Sequence, residues 1–134
     1  MHVVLQHVSI PRPAGEESAQ KARQFYSGLV GLVEKPVPTS ITALDLVWFK
    51  IGEEAELHVF AEAVEASPSG RHFCLQVGDV ALMHQTLTEA GYTPWSPEDI
   101  PGRPRFFCRD PFENLVEFTQ ITENYLKYQN NDLM

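Results

Sequence analysis

Four side chains that can bind a metal or move a proton stand at regular places in a largely apolar chain: His7, His58, His72 and Glu117. A neutral imidazole offers a nitrogen lone pair and a carboxylate offers oxygen, and divalent cations accept both. Two histidines and one carboxylate are also the donor set of open-sided iron sites. A metal held this way polarises a carbonyl or stabilises an enediolate, while a carboxylate or displaced ligand moves the proton. Scattered histidines mean little alone, since most are exposed or satisfied by nearby backbone. Glu117 is more telling. It interrupts the run Leu115-Val116-Glu117-Phe118, where burying an unpaired carboxylate costs several kcal/mol. Arg105 and Arg109 are the nearby cations able to neutralise it.

The elements that must carry these residues follow from periodicity. Val3 to Ile10 reads as a strand, and Pro11, Pro13 and Gly15 open a loop. Ala22, Phe25, Tyr26 and Leu29 recur at helical spacing, predicting a helix over about 17–30 that Gly31 ends. Strands are expected at 32–37, 43–51 and 55–60, with Gly52-Glu53-Glu54 as a hairpin turn. A connector over 61–70 follows, and then the order restarts. A strand over 71–77 leads to Asp79 as N-cap of a helix to Ala90, with Gly91 at its end. A short strand near 92–95, a proline-rich loop over 97–104, strands at 105–109 and 114–120, and a tail from Thr122 complete the chain. The tail offers at most a short helix.

Strand alternation places several candidates on shared faces. Leu57 and Val59 oppose Glu56, His58 and Phe60; Phe73 and Leu75 oppose His72 and Cys74; Val116 and Phe118 oppose Glu117. The direction of His7 is left open, because its polar neighbours Gln6 and Ser9 fall on opposite faces. Trp48, Phe60, Arg105 and Phe107 are candidate substrate contacts, the arginine for an anionic group and the aromatics for a pocket wall.

The chain thus repeats β-α-β-β-β, giving an α+β fold in one 134-residue domain. Module one covers about 3–60, the connector 61–70, module two about 71–120, and the tail 121–134. A formal charge of −8 argues against nucleic-acid binding. The acidic residues Glu53, Glu54, Glu56, Glu62 and Glu65 are expected on solvated turns and edges. No 18-residue apolar run and no basic-then-apolar N-terminus occur, so no membrane association and a cytoplasmic location are expected. Cys74 and Cys108 lack Cys-x-x-Cys spacing and read as buried free thiols.

In order, Leu5-Gln6-His7-Val8-Ser9, Ala22-Arg23-Gln24-Phe25-Tyr26, Leu29-Val30-Gly31-Leu32, Glu56-Leu57-His58-Val59-Phe60, Arg71-His72-Phe73-Cys74-Leu75-Gln76-Val77, Phe107-Cys108-Arg109-Asp110-Pro111 and Asn114-Leu115-Val116-Glu117-Phe118 resemble the glyoxalase/bleomycin-resistance/dioxygenase superfamily, also called vicinal oxygen chelate. The resemblance implies paired βαβββ modules forming a curved, incompletely closed barrel with a metal or ligand cleft. It implies a homodimer, and metal-ligand roles for His7, His72 and Glu117. His58 falls on the second metal position of the first module, where lyases and epimerases usually carry Glu or Gln. That departure removes a carboxylate available as base and weakens a lactoylglutathione lyase assignment. The arginine that commonly follows the first histidine, binding the glutathione end, is displaced too: Pro11 occupies its place and Arg12 follows.

The expected function is a metal-dependent glyoxalase-like lyase or isomerase of a small oxygenated substrate or its thiol conjugate, working by enediolate stabilisation. It would carry one divalent metal per chain (Ni, Zn, Fe, Mn or Mg) on His7, His58, His72 and Glu117, with Glu117 and His58 catalytic. The alternatives are an Fe(II) ring-cleaving dioxygenase and a metal-free, resistance-type small-molecule binder.

Overall fold

The structure is a computed structural model that describes residues 1–65 and 69–129. Its chain divides into two compact units, Met1–Ser69 with Asp110–Asn114, and Gly70–Arg109 with Leu115–Met134. Part of the expected connector, at 66–68, lies outside the described residues.

The first unit contains strands β1 (His7–Arg12), β2 (Val33–Lys35), β3 (Leu46–Ile51) and β4 (Ala55–Ala61) and helix α1 (Glu16–Arg23). The sheet order is β1-β4-β3-β2, with β1 parallel to β4 and the other pairs antiparallel. The β3–β4 hairpin turns at Gly52, whose φ of 61° suits a residue without Cβ. Ala19, Ala22, Phe25 and Tyr26 are buried on the helical segment and Val47, Phe49, Leu57 and Val59 on the sheet, with Tyr26 5.7 Å from Phe49. Each large member of this set contributes about 1.5–3 kcal/mol by leaving water. The expected helix over 17–30 changes character half-way: Gln24–Leu29 is a π-helix, with Val30 N–H donating to Phe25 O at 2.9 Å. Hydrophobic spacing does not distinguish these windings, because both bury Phe25 and Tyr26. Gly31, at φ 91°, ends the segment.

In the second unit, β5 (His72–Gln76), β6 (Arg105–Arg109) and β7 (Leu115–Thr119) form a sheet in the order β5-β7-β6, with helix α2 at Val80–Glu89. Asp79 caps α2 by accepting from Leu82 N–H at 3.0 Å. Leu75, Leu87, Phe106, Cys108, Val116 and Phe118 make the core. The strand expected near 92–95 shrinks to one bridge, Trp95 to Phe107. Pro94 and Pro97 flank Trp95 and lack amide donors, so no ladder can propagate. The second unit therefore keeps β-α-β-β plus a single bridge, and the strands pair as two separate sheets, not a closed barrel. The tail forms a short 3-10 turn at Tyr125–Tyr128.

Candidate functional site

On β1, Ile10 and Arg12 are buried, so alternation puts His7 on the opposite face, resolving its direction. That face continues onto β4 and β3. His7 lies level with Glu56, and Trp48 with His58. The rings form a stack: His58 lies 4.1 Å from His7 with 15° between planes, and 3.7 Å from Trp48 with 3° between planes. His58 Nε2 meets Glu56 Oε1 at 2.9 Å. Glu56 also pairs with Lys35. Lys35 first, then His58 and Gln6, hold its carboxyl down to about 2. Phe60 shares the face by alternation and is half-buried.

Glu56 was expected among the solvated acids. Glu53, Glu54, Glu62 and Glu65 are indeed exposed, but Glu56 is only 13% exposed within β4. The signal that could have found it is its two-residue offset from His58, which places both side chains on one strand face.

The second unit gathers a parallel set. His72 Nε2 lies 3.0 Å from Glu117 Oε1, and Arg105 Nη1 lies 3.4 Å from Glu117 Oε2. Arg105 Nη2 donates to Glu98 O at 3.0 Å, which anchors the guanidinium. Glu117 is 12% exposed, so the cation next to it offsets part of the cost of its burial. Arg105 is thus a cation that pairs with Glu117. Phe107 lies level with Glu117, meets His72 edge-on at 4.8 Å and stacks near Trp95 at 5.7 Å. Cys74, opposite Glu117 on β5, is exposed rather than buried, because it takes the outward face of an edge strand. Partial desolvation and the Glu117 charge push its thiol up to about 11.

Hydrogen bonds fix the proton positions on two of the histidines. His72 Nδ1 sits 2.7 Å from Gly70 O, and a carbonyl only accepts, so Nδ1 carries the proton. His7 Nδ1 sits 2.6 Å from the Gln6 side-chain carbonyl, while the Gln6 amide nitrogen donates to Glu56. The His7 ring therefore keeps Nε2 for another partner, while His72 turns its Nε2 to Glu117; an anchored second nitrogen is common among metal-binding histidines. His72 Nε2 and Glu117 Oε1 thus form an imidazole–carboxylate contact across β5 and β7. Among the described residues, no group of three His, Cys, Asp or Glu side chains is placed to hold a metal ion by itself. His7 and His58 lie in the first unit and His72 and Glu117 in the second.

Arg12 takes no part in either arrangement. Fully buried, it donates to Ser18 Oγ at 2.8 Å, Gly15 O at 3.0 Å and Asp45 O at 3.1 Å, and pairs with the Asp45 carboxylate. It is committed to the loop between β1 and α1.

The superfamily pattern described as Glyoxalase/Bleomycin resistance protein/Dioxygenase matches residues 5–118. The chain belongs to this superfamily. Among solved structures, this glyoxalase-superfamily protein is similar to one described as a glyoxalase family protein from Bacillus anthracis. They share 30% identity over 90% of this chain and 97% of that one, with a TM-score of 0.78. Two others share the fold at lower identity. The fosfomycin resistance protein FosX from Mesorhizobium loti is 14% identical over 96% of this chain and 98% of its own, with a TM-score of 0.71. TnmS3, an antibiotic binding protein from Streptomyces sp. CB03234, is 20% identical over 90% and 97%, with a TM-score of 0.68. No protein of curated function matches the chain.

Of the residues expected to contact substrate, Trp48 and Phe60 lie on the His7–His58 face, and Arg105 and Phe107 surround Glu117 and His72. Their neighbours Phe49 and Phe106 are core.

Proposed function

We propose that this protein is a metal-dependent lyase or isomerase of a small oxygenated substrate or its thiol conjugate. His7, His72 and Glu117 would hold one divalent ion per chain, with His58 at or beside it. The observation that carries this reading is that the Nδ1 atoms of His7 and His72 lie against carbonyl oxygens at 2.6 and 2.7 Å, with His72 Nε2 turned to Glu117. His72 and Glu117 bring an imidazole and a carboxylate together at 3.0 Å. When bound, the ion supplies Lewis-acid polarisation of substrate oxygens. Glu117 provides negative charge and a proton-accepting oxygen, while Arg105 orients the carboxylate from its Oε2 side. Trp48 lies against His58 in the first unit and Phe107 against His72 in the second, so each unit sets an aromatic surface beside its polar groups. The carboxylate–imidazole contacts in both units suit proton transfer next to a carbonyl.

The test is proton exchange. Metal-stripped protein is reloaded with nickel, zinc or magnesium and incubated without oxygen in deuterated water with α-hydroxy carbonyl compounds and their thiol adducts. NMR should show metal-dependent loss of the carbon-bound proton next to the carbonyl. Failure with every metal, together with oxygen uptake on catechols after iron loading, would replace this reading with ring cleavage. Binding of an aromatic ligand undiminished by metal removal would replace it with a metal-free binder.

A further inference from the structure

Two arginines stand close together at the start of β6, and only one of them is spoken for. Phe106 and Cys108 are buried, so Arg105 and Phe107 take the opposite face of the strand, level with Thr119 and Glu117 of β7. The ladder runs one residue beyond the strand, because Gln120 N–H donates to Pro104 O at 3.1 Å. Alternation therefore extends to Arg103 and sets it on the face of Arg105 and Phe107. Cys74 lies on that face too, level with Glu117. Burial, the larger effect, pushes its thiol up, and the charges of both arginines act against it.

Arg105 is held by Glu117 Oε2 at 3.4 Å and Glu98 O at 3.0 Å. Arg103 is not held in this way. Among the described residues no hydrogen bond or ion pair engages its side chain, and its Nε–H is buried without an acceptor. A buried donor left unpaired is costly and calls for a partner. Its guanidinium lies over the Tyr125 ring, 4.7 Å from the centroid, which covers one face of the plane and leaves the N–H edge open. The backbone that presents it is fixed. Arg103 N–H donates to Ile100 O at 2.9 Å, and Gly102 O accepts from Thr122 N–H at 2.8 Å and Glu123 N–H at 3.3 Å. Gly102 has φ 77°, and a Cβ there would stand 2.7 Å from Glu123 O, so the tail closes directly on this turn.

We infer that Arg103, seated on Tyr125, is a binding residue for a carboxylate group of the protein's ligand. A guanidinium only donates, and its planar fork matches the two oxygens of a carboxylate in parallel N–H···O bonds. One uncommitted arginine neutralises one negative charge. The charge of Arg105 is already shared with Glu117, and the chain as a whole carries −8, so a monoanion fits better than a phosphate dianion. The anionic contact expected of Arg105 thus passes to its neighbour two residues earlier. Fixing the arginine beforehand lowers the ordering cost of binding. The site stands without a metal; only the further step, that the substrate is an acid, rests on the function proposed above.

The experiment is NMR titration of the metal-free full chain with butanoate, butanamide and inorganic phosphate at neutral pH. It follows the arginine Nε–H signals, assigned with Arg103→Gln, and the backbone amides. Butanoate should shift the Arg103 signal saturably and bind about tenfold or more tightly than butanamide, as loss of a charge-assisted pair implies. Phosphate should bind more weakly than butanoate. Arg103→Gln should weaken butanoate by about tenfold, and Arg103→Lys, which keeps the charge but loses the fork, should fall between. Tyr125→Leu should weaken it with the charge intact. Equal binding of acid and amide by the parent would overturn the site even if Arg103→Gln failed to fold. So would unchanged butanoate affinity in Arg103→Gln, or a saturable shift at Arg105 with none at Arg103. Phosphate binding more tightly than butanoate would overturn the choice of carboxylate. With no metal in the titration, failure here leaves the metal reading intact, and failure of metal binding leaves this site intact.

Discussion

Replacing Asp45 by Asn tests whether Arg12 is structural or is free to serve a substrate anion. The Arg12 guanidinium is fully buried, and its nearby acceptors are three backbone carbonyls, the Ser18 hydroxyl and the Asp45 carboxylate. Its Nε already has no partner. Removing one charge of a buried pair costs about 3–5 kcal/mol, because the other charge stays uncompensated. Two features reduce that figure here. Asp45 is 41% exposed, so water screens it, and the asparagine keeps a side-chain oxygen near Gly15 N–H, now 2.7 Å from the carboxylate. The expected loss is therefore about 2 kcal/mol, read as a lower urea midpoint at unchanged slope in circular dichroism. Arg12→Met combined with Asp45→Asn should lose less than the two single losses summed, since the pair no longer leaves one charge alone. The pH dependence has a defined sign. The Arg12 hydrogen bond, then the Gly15 amide, hold Asp45 below its usual range. Its contribution is complete above the unfolded value of about 3.8 and disappears as pH falls through the lower folded value. Asp45→Asn should flatten that acid limb. A loss under about 0.5 kcal/mol, with weakened binding of an anionic ligand instead, would refute the structural role.

Phe118 is fully buried and stacks on Phe106 at 5.1 Å, so Phe118→Ala should cost about 3–5 kcal/mol; a chemical-unfolding loss below about 1 kcal/mol would mean the site has collapsed around the gap. Glu113 adopts φ 70° in the turn before β7, a conformation costing about 1–2 kcal/mol for a residue with Cβ. Glu113→Gly should raise stability by about 0.5 kcal/mol after the glycine's larger unfolded entropy, and Glu113→Val should lower it by about 1 kcal/mol; equal midpoints for the two variants would contradict this. The Cys74 thiol, pushed up to about 11, should react with iodoacetamide at neutral pH roughly a hundredfold more slowly than free cysteine. The rate should climb steeply above pH 9, and a rate at pH 7.5 equal to free cysteine would show the thiol to be unperturbed.

Alternation made half of this arrangement legible in the sequence. Leu57 and Val59 against His58, and Val116 and Phe118 against Glu117, are choices of face that a two-residue period settles without coordinates. His7 resisted because its polar neighbours lie on both faces, and only the burial of Ile10 and Arg12 decided the matter. Arg12 itself was hidden by the rule that long cations stay at the surface, which fails where an aspartate and a ring of carbonyls solvate the charge. Glu56 was hidden by its neighbours in sequence: it follows two turn glutamates, and its pairing with Lys35 depends on β2 reaching the same sheet. The π-helix and the reduced strand at Trp95 left no periodic trace. In the first case the buried residues are unchanged, and in the second two prolines act through missing amides.

The most direct test of the central claim is calorimetric titration of tag-free, metal-stripped protein with nickel and zinc, comparing the parent with Glu117→Gln. The account predicts one ion per chain and a loss of tenfold or more in affinity for the variant, whose packing is nearly unchanged but whose charge is gone. It also predicts weaker binding at pH 6 than at pH 7.5, since protons compete for imidazole nitrogen. Folded protein that binds no divalent ion above background, with Glu117→Gln indistinguishable from the parent, would contradict it.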